Sequence, residues 1–338
     1  MPPAPAAARP AEAKPSVLAG QPVGSYCARV SPPDSALLEL LRLLSARGYR
    51  FVTPTPSTHA RVLERFGDQR ARNLREVFGW SLPFVPDEID PAVLALLEAA
   101  GAVAAEGTLL KSRVRVSTVR DSLFLHSAYP TEAPDAVFLG PDTYRFAKLL
   151  EQELEDEPGV GRMADVGTGA GVGGLVAANL CPGAELILTD VNSEALRLAR
   201  INLAHAGREA GFVQTSGLDG LSGAFDLIIA NPPYMGSASG RVYRDGGGLH
   251  GAQLSLDWAK AALGRLAPGG RLVLYTGSAI VGGVDRLQAE LSRLAEAAGF
   301  PIRYREIDPD VFGETVSEPG YEEVERIAAI GAVITRPR

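Results

Sequence analysis

The sequence is poor in cysteine, histidine and long apolar runs. Its two cysteines, Cys27 and Cys181, are far apart and form no CxxC pair. That excludes a disulfide framework and suits reduced packing residues in a cytoplasmic protein. The four histidines (His59, His126, His205, His250) are scattered without metal-ligand spacing, so no structural metal is expected. No stretch approaches the roughly 18 apolar residues of a membrane helix. No basic segment followed by an apolar run marks a secretory signal. The chain also lacks an excess of positive charge: its 338 residues carry a formal net charge of -7. Phosphate contacts supply most nucleic-acid affinity, so nucleic acid is an unlikely partner on this balance. Composition carries no signature of oligomeric state.

Hydrophobic residues make up 46% of the chain, enough to bury a sizeable core. Residues 1–20 are rich in Pro and Ala and are expected to be a disordered tail. A smaller N-terminal domain, 33–130, follows. Its pattern predicts helices over Ser35–Ser45, Thr58–Phe66 and Arg70–Phe78, and from Asp90-Pro91 to Gly101. Alternating, β-branched segments then predict strands at Leu109–Ser117 and Ser122–His126. Helices followed by a hairpin suggest a winged-helix-like domain.

The second domain, 135–338, repeats strand, glycine loop and helix. Strands are expected at Arg162–Val166, Glu185–Thr189, Gly211–Gln214, Asp226–Ala230, Arg271–Tyr275, Ile302–Glu306 and Ala328–Ile334. Helices are expected at Gly173–Leu180, Ser193–Ala206, Leu254–Leu266 and Val284–Ala298. Such alternation predicts a Rossmann-like, mostly parallel α/β sheet of seven strands, and the last two, joined without a helix between them, are expected to pair antiparallel. The two tryptophans, Trp80 and Trp258, read as core residues.

Asp165-Val-Gly167-Thr168-Gly169-Ala-Gly171 follows the first of these strands and enters a helix. Glycines let the backbone turn sharply and approach a ligand. The spacing Gly169-x-Gly171-x-x-Gly174 also fits a dinucleotide fingerprint. Asp190-Val191, ending the next strand, suits the ribose of either nucleoside cofactor. The ambiguity breaks at Asn231-Pro232-Pro233-Tyr234, at the carboxyl end of an apolar strand. There the Asn231 amide oxygen and the Pro232 carbonyl can each accept one N–H of a planar amino group. This turns the nitrogen lone pair towards an electrophile, and Tyr234 offers a face for stacking.

Asp165–Gly171, Asp190 and Asn231–Tyr234 resemble the amino-methylating class I methyltransferases, which use S-adenosylmethionine (SAM). Pro141-Asp142-Thr143 resembles the Pro-Glu/Asp-Thr segment of release-factor glutamine methyltransferases. The resemblance covers about Asp142 to the end. It implies cofactor contacts at Asp142, Asp165, Gly167, Thr168, Gly169, Gly171, Asp190, Val191 and Asn231, and catalysis by Asn231, Pro232 and Tyr234. The glutamine enzymes often show Ser-Asp after the third strand, where this chain has Ser216-Gly217, with Asp219 the nearest acid. Met235 to Gly248 is a Gly-rich candidate lid. Within it Arg241 and Tyr243, with Tyr144 upstream, are candidate substrate contacts.

The leading expectation is N-methylation of an amide or amine on a small molecule or protein, with S-adenosylhomocysteine as product. A second reading cyclises SAM itself to azetidine-2-carboxylate and methylthioadenosine. A third is a nucleic-acid-binding RNA methyltransferase, which a basic stripe of Arg70, Arg72, Arg75, Lys111, Arg113 and Arg115 would support.

Overall fold

The computed structural model describes residues 31–67, 70–155, 159–235 and 246–338. The Pro/Ala tail, Cys27, Arg241, Tyr243 and most of the candidate lid lie outside the described residues.

Helix α1 (Pro32–Ala46) opens where the Ser31 side chain accepts the Asp34 N–H, and prolines occupy the first turn. Leu37, Leu40, Leu41 and Leu44 fall on one face and are fully buried. Helices α2 (Pro56–Leu63), α3 (Leu74–Phe78) and α4 (Pro91–Ala99) follow, and Asp90 caps the last through the Ala92 N–H. The strand expected over Leu109–Ser117 is instead two. Strand β1 (Val103–Glu106) pairs with β2 (Leu109–Ser112), and β3 (Val114–Val119) pairs with β4 (Ser122–Ser127). The break has a local cause. Ser112 Oγ donates to Val114 O and accepts the Val114 N–H, while the Arg113 N–H turns away to Ala102 O.

Helix α5 (Pro141–Leu154) leads into the main sheet. The alternation then runs β5 (Arg162–Val166), α6 (Val172–Leu180), β6 (Glu185–Asp190), α7 (Ser193–His205), β7 (Gly211–Gln214) and β8 (Phe225–Ala230). It closes with α8 (Gln253–Leu263), β9 (Leu266–Val281), β10 (Val284–Asp285), α9 (Arg286–Ala298), β11 (Ile302–Asp308) and β12 (Val324–Thr335). Strand order is β7-β6-β5-β8-β9-β12-β11, with short β10 added to β9. Strands β5 to β9 pair in parallel along this path, and β12 is antiparallel to both β9 and β11. Strand β9 is far longer than the expected Arg271–Tyr275. The sequence signal fades at Thr276, Gly277 and Ser278, yet both hydroxyls are buried and paired. Thr276 Oγ1 meets Ser255 Oγ at 2.7 Å, and Ser278 Oγ donates to Asp285.

The core lies on both faces of this sheet. Leu227 and Ile229 of β8 join the cluster formed with α5, α6, α7 and the N-terminal segment; Ile228 and Ala230 join the one formed with α8 and α9. Order reverses between β5 and β8, so the crevice at their carboxyl ends is where an open α/β sheet accepts ligands.

Asn202 of α7, fully buried, clasps the N-terminal hairpin to the glycine loop. Its Oδ1 accepts the Leu125 N–H at 2.8 Å, and its Nδ2 donates to Leu125 O and Ala170 O. Asn202→Ala leaves these buried backbone groups without partners, at about 1–3 kcal/mol for each unsatisfied group. A drop of roughly 3 kcal/mol in unfolding free energy is expected from urea titration; a change below about 0.5 kcal/mol, the range of an ordinary surface substitution, would refute the clasp.

Candidate active site

The carboxyl ends of β5, β6 and β8 meet in a cavity of about 420 Å3. That is within the ordinary range for small-molecule sites, about 300–1,000 Å3. The structure brings together Asp142, Asp165, Gly167, Thr168, Gly169, Asp190, Val191, Asn231, Pro232 and Tyr234 along its wall.

The loop after β5 is shaped by its glycines. Gly167 has φ +67°, and a Cβ there would lie 2.5 Å from the Trp258 ring. The backbone thus rests directly on the indole, a contact only glycine permits. Trp258, expected from the sequence to be a core residue, packs against the core and also forms a wall of the cavity, half-buried between Gly167 and Gly217. Gly171 takes φ +83° and caps α6, behind the wall.

Asp165 lies beneath this loop and is 2% exposed. Its Oδ2 accepts from Thr168 Oγ1 at 2.6 Å and from the Gly174 N–H at 2.7 Å. No described residue hydrogen-bonds its Oδ1. Burial pushes the carboxyl up to about 6, against the lowering effect of those two bonds. Asp190 accepts the Gly169 N–H and the Asn192 N–H, one on each oxygen, and burial raises its pKa as well. Beside it Val191 is 49% exposed, an apolar side chain on the cavity wall.

Asn231 and Pro232 extend β8 into the cavity, because proline cannot continue the ladder. Tyr234 is buried and held from both sides. A Cβ at Gly277 would lie 2.2 Å from its Cδ2, and the Phe312 ring centroid is 6.0 Å away. The Tyr234 hydroxyl is buried beside Asp142 but outside hydrogen-bond geometry with any described residue. Burial, followed by the adjacent Asp142 charge, holds that phenol protonated. Asp142 itself, at the start of α5, accepts the Tyr275 hydroxyl at 2.6 Å, and burial raises its pKa. Past Met235 the described chain resumes at Gly246, whose N–H donates to Met235 O.

Tyr144 does not join this group. Its hydroxyl accepts the Thr53 N–H at 3.0 Å and ties α5 to the N-terminal segment, away from the cavity lining. Asp219 is likewise absent from the lining, whereas Thr215, Ser216 and Gly217 are present. Most cations of the proposed basic stripe are buried or engaged within the protein. Arg115 is buried, Arg70 pairs with Glu88, Lys111 with Glu106, and Arg75 lies over the Phe51 and Trp80 rings. Sequence reasoning missed Trp258, Phe312 and the N-terminal contributors His59, Arg115 and Tyr129. One signal was available: an arginine between Val114 and Val116 on a strand of otherwise buried residues.

The residues present fit SAM. A buried carboxylate with an uncommitted oxygen suits an ammonium, the acid ending β6 suits a ribose diol, and Val191 with Trp258 offers apolar surface for a base. No described helix is long and apolar enough to cross a membrane.

Residues 136–279 match a family model described as Methyltransferase small domain. The chain is 40% identical over 147 residues to the release factor glutamine methyltransferase of Deinococcus radiodurans, covering 40% of this chain and 51% of that protein. It is 34% identical over 171 residues to the Bradyrhizobium diazoefficiens protein of that name, covering 45% and 56%. A third relative, ribosomal RNA small subunit methyltransferase C of Pseudomonas aeruginosa, is 32% identical over 160 residues, covering 47% and 45%. The chain thus spans about half the length of the curated relatives it matches. The matched segment 136–279 holds the glycine loop, Asp190 and the Asn231–Tyr234 turn, and is similar to the methyltransferase small domain.

Proposed function

We propose that this chain transfers the methyl group of SAM to an amide or amino nitrogen of a small molecule or protein. The observation that carries this reading is the Asn231-Pro232-Pro233-Tyr234 turn in the same cavity wall as the glycine loop and the Asp165 and Asp190 carboxylates. SAM supplies an electrophilic methyl on a good leaving group, so the protein's work is orientation and exclusion of water. Asp165 holds the ammonium and Asp190 the ribose hydroxyls. The Asn231 amide oxygen and Pro232 carbonyl accept the two N–H groups of the acceptor nitrogen. As the nitrogen gains the methyl, it releases one proton to solvent. Tyr234, fixed by Gly277 and Phe312, bounds the acceptor's plane.

The names of the relatives divide between a protein glutamine and ribosomal RNA. The net charge of -7, with four of the candidate stripe's cations held inside or paired, favours the non-nucleic acceptor. Purified protein is incubated with SAM alone and its nucleosides followed by mass spectrometry. Stable SAM, converted to S-adenosylhomocysteine only when an extract or acceptor is added, is the expected result. Asn231-dependent release of methylthioadenosine without an acceptor would replace transfer by self-cyclisation.

Gly277 gives a second check. Gly277→Ala must push the Tyr234 ring aside, and a displacement near 1 Å can cost about 10²-fold in rate. Such a fall in kcat with nearly unchanged SAM affinity is expected; full activity would remove Tyr234 from the acceptor wall.

A further inference from the structure

The cavity runs beyond the glycine loop and the Asn231 turn, under the N-terminal segment. Its walls there include Pro54, His59, Arg115 and Tyr129. Four carboxylates line it, Asp142, Asp165 and Asp190 where SAM is placed and Glu132 just beyond Tyr129 in the chain. Arg115 is the one lysine or arginine among the described lining residues.

Arg115 is 3% exposed, and among the described residues no carboxylate lies within salt-bridge distance of it. Its Nε–H donates to Gly79 O at 3.0 Å, and its Nη2 meets His59 Nδ1 at 3.3 Å. His59 Nε2 faces the Trp80 carbonyl at 3.0 Å, which can only accept, so Nε2 carries the proton and Nδ1 accepts from the guanidinium. Histidine is thus a neutral spacer and not a counter-charge. Burial and the neighbouring Arg115 lower the His59 pKa to about 4, in keeping with that tautomer. The Phe51 ring, 5.6 Å from the guanidinium, also gives no net charge. The second terminal nitrogen, Nη1, has no described hydrogen-bond partner.

A buried cation without an anion is costly to keep. Here it is kept in the wall of a site whose other ligand is itself cationic at sulfur and nitrogen. We propose that Arg115 seats an oxyanion of the acceptor, a carboxylate or phosphate carried near the nitrogen to be methylated. This rests on the methyl-transfer reading above. It narrows the acceptor from any amide or amine to one that is also an acid. A guanidinium held at Nε by Gly79 O presents its terminal nitrogens in a fixed plane, the geometry that matches a planar or tetrahedral oxyanion.

The test is calorimetric titration of the protein saturated with S-adenosylhomocysteine, at constant ionic strength, with sodium acetate and separately with inorganic phosphate. One of the two anions is expected to saturate a single site, and the one that does identifies the source. Arg115→Gln should weaken it by at least about tenfold, the size expected for one lost charge-assisted contact, and Arg115→Lys by less. Affinity for S-adenosylhomocysteine should stay within about twofold in both variants. The Arg115 Nε–Hε resonance of the wild-type protein should shift with the anion, a readout that needs no variant to fold. Absence of saturation by either anion, an unshifted resonance, or equal anion binding in Arg115→Gln would overturn the assignment. A parallel loss of S-adenosylhomocysteine affinity would overturn it too, giving Arg115 to the carboxylate of the cofactor. Failure of the wild-type protein to bind S-adenosylhomocysteine would instead strike the methyl-transfer reading, and the anions would then be titrated alone.

Discussion

Asn231→Ala is expected to lower kcat by about 10²–10³-fold, the size seen when one preorganised polar group is removed from a transition state. SAM affinity should change by less than about threefold, since the cofactor's ammonium is assigned to Asp165 and its ribose hydroxyls to Asp190. The split follows from position. Ala230 is the last residue of β8 and pairs with Val166 and Leu274, so the strand ends are locked on both sides. Asn231 is the next residue, and prolines at 232 and 233 fix its carbonyl and its exit direction. Alanine removes the amide oxygen without touching the ladder. Stopped-flow or discontinuous transfer assays with labelled SAM, alongside equilibrium binding, separate the two quantities. Retained kcat would sink the nitrogen-orienting mechanism. Lost SAM binding would move Asn231 to the cofactor.

Acidification should release SAM. In the ligand-free protein burial holds Asp165 near 6 instead of 3.8, so its carboxyl is protonated below about pH 6. The ammonium of SAM requires the ionised form. Binding therefore displaces a proton below that point, and affinity falls by up to about tenfold per pH unit. Above pH 7 it should be flat until the cofactor's own α-amino group deprotonates near about 8. The folding contribution of Asp165 has the opposite sign. Its folded pKa is raised, so in the ligand-free protein its contribution is fully present below the unfolded value, 3.8, and is lost as pH rises through about 6. Asp165→Asn keeps an oxygen for Thr168 and Gly174 but removes the charge. It should weaken SAM by one to two orders of magnitude, about 1.5–3 kcal/mol, and abolish the acid limb. An unchanged acid limb in that variant would place the titrating group elsewhere.

The parts of this site written in contiguous residues were legible in advance. The glycine loop, Asp190-Val191 and the Asn231–Tyr234 turn each sit at a strand end, and strand ends follow from local patterning. The β11–β12 end of the sheet was also legible, because β11 opens on alternating Ile302, Arg303, Tyr304 and Arg305 and β12 carries a run of apolar and β-branched residues. What local patterning could not supply is partnership across the chain. Trp258 reads as core on an amphipathic helix, and only its contact with Gly167 and Gly217 makes it a wall. Tyr144 reads as a site residue because it follows Asp142, yet its hydroxyl meets Thr53, 91 positions earlier in the chain. The kink at Ser112 is local but depends on a side chain bonding two backbone atoms of Val114, which apolar periodicity does not register.

The Asn202 clasp has a consequence for how the molecule opens. One amide holds Leu125 of β4 and Ala170 of the glycine loop, so hairpin and loop cannot part separately without stranding a buried donor or acceptor. They should therefore exchange amide hydrogens as one cooperative unit. A ligand that grips the glycine loop lowers the population of that open unit by mass action. Protection at Leu125, in a hairpin outside the matched segment 136–279, would then rise with cofactor concentration. Leu125 would act as a gauge of occupancy at a site that it does not itself line.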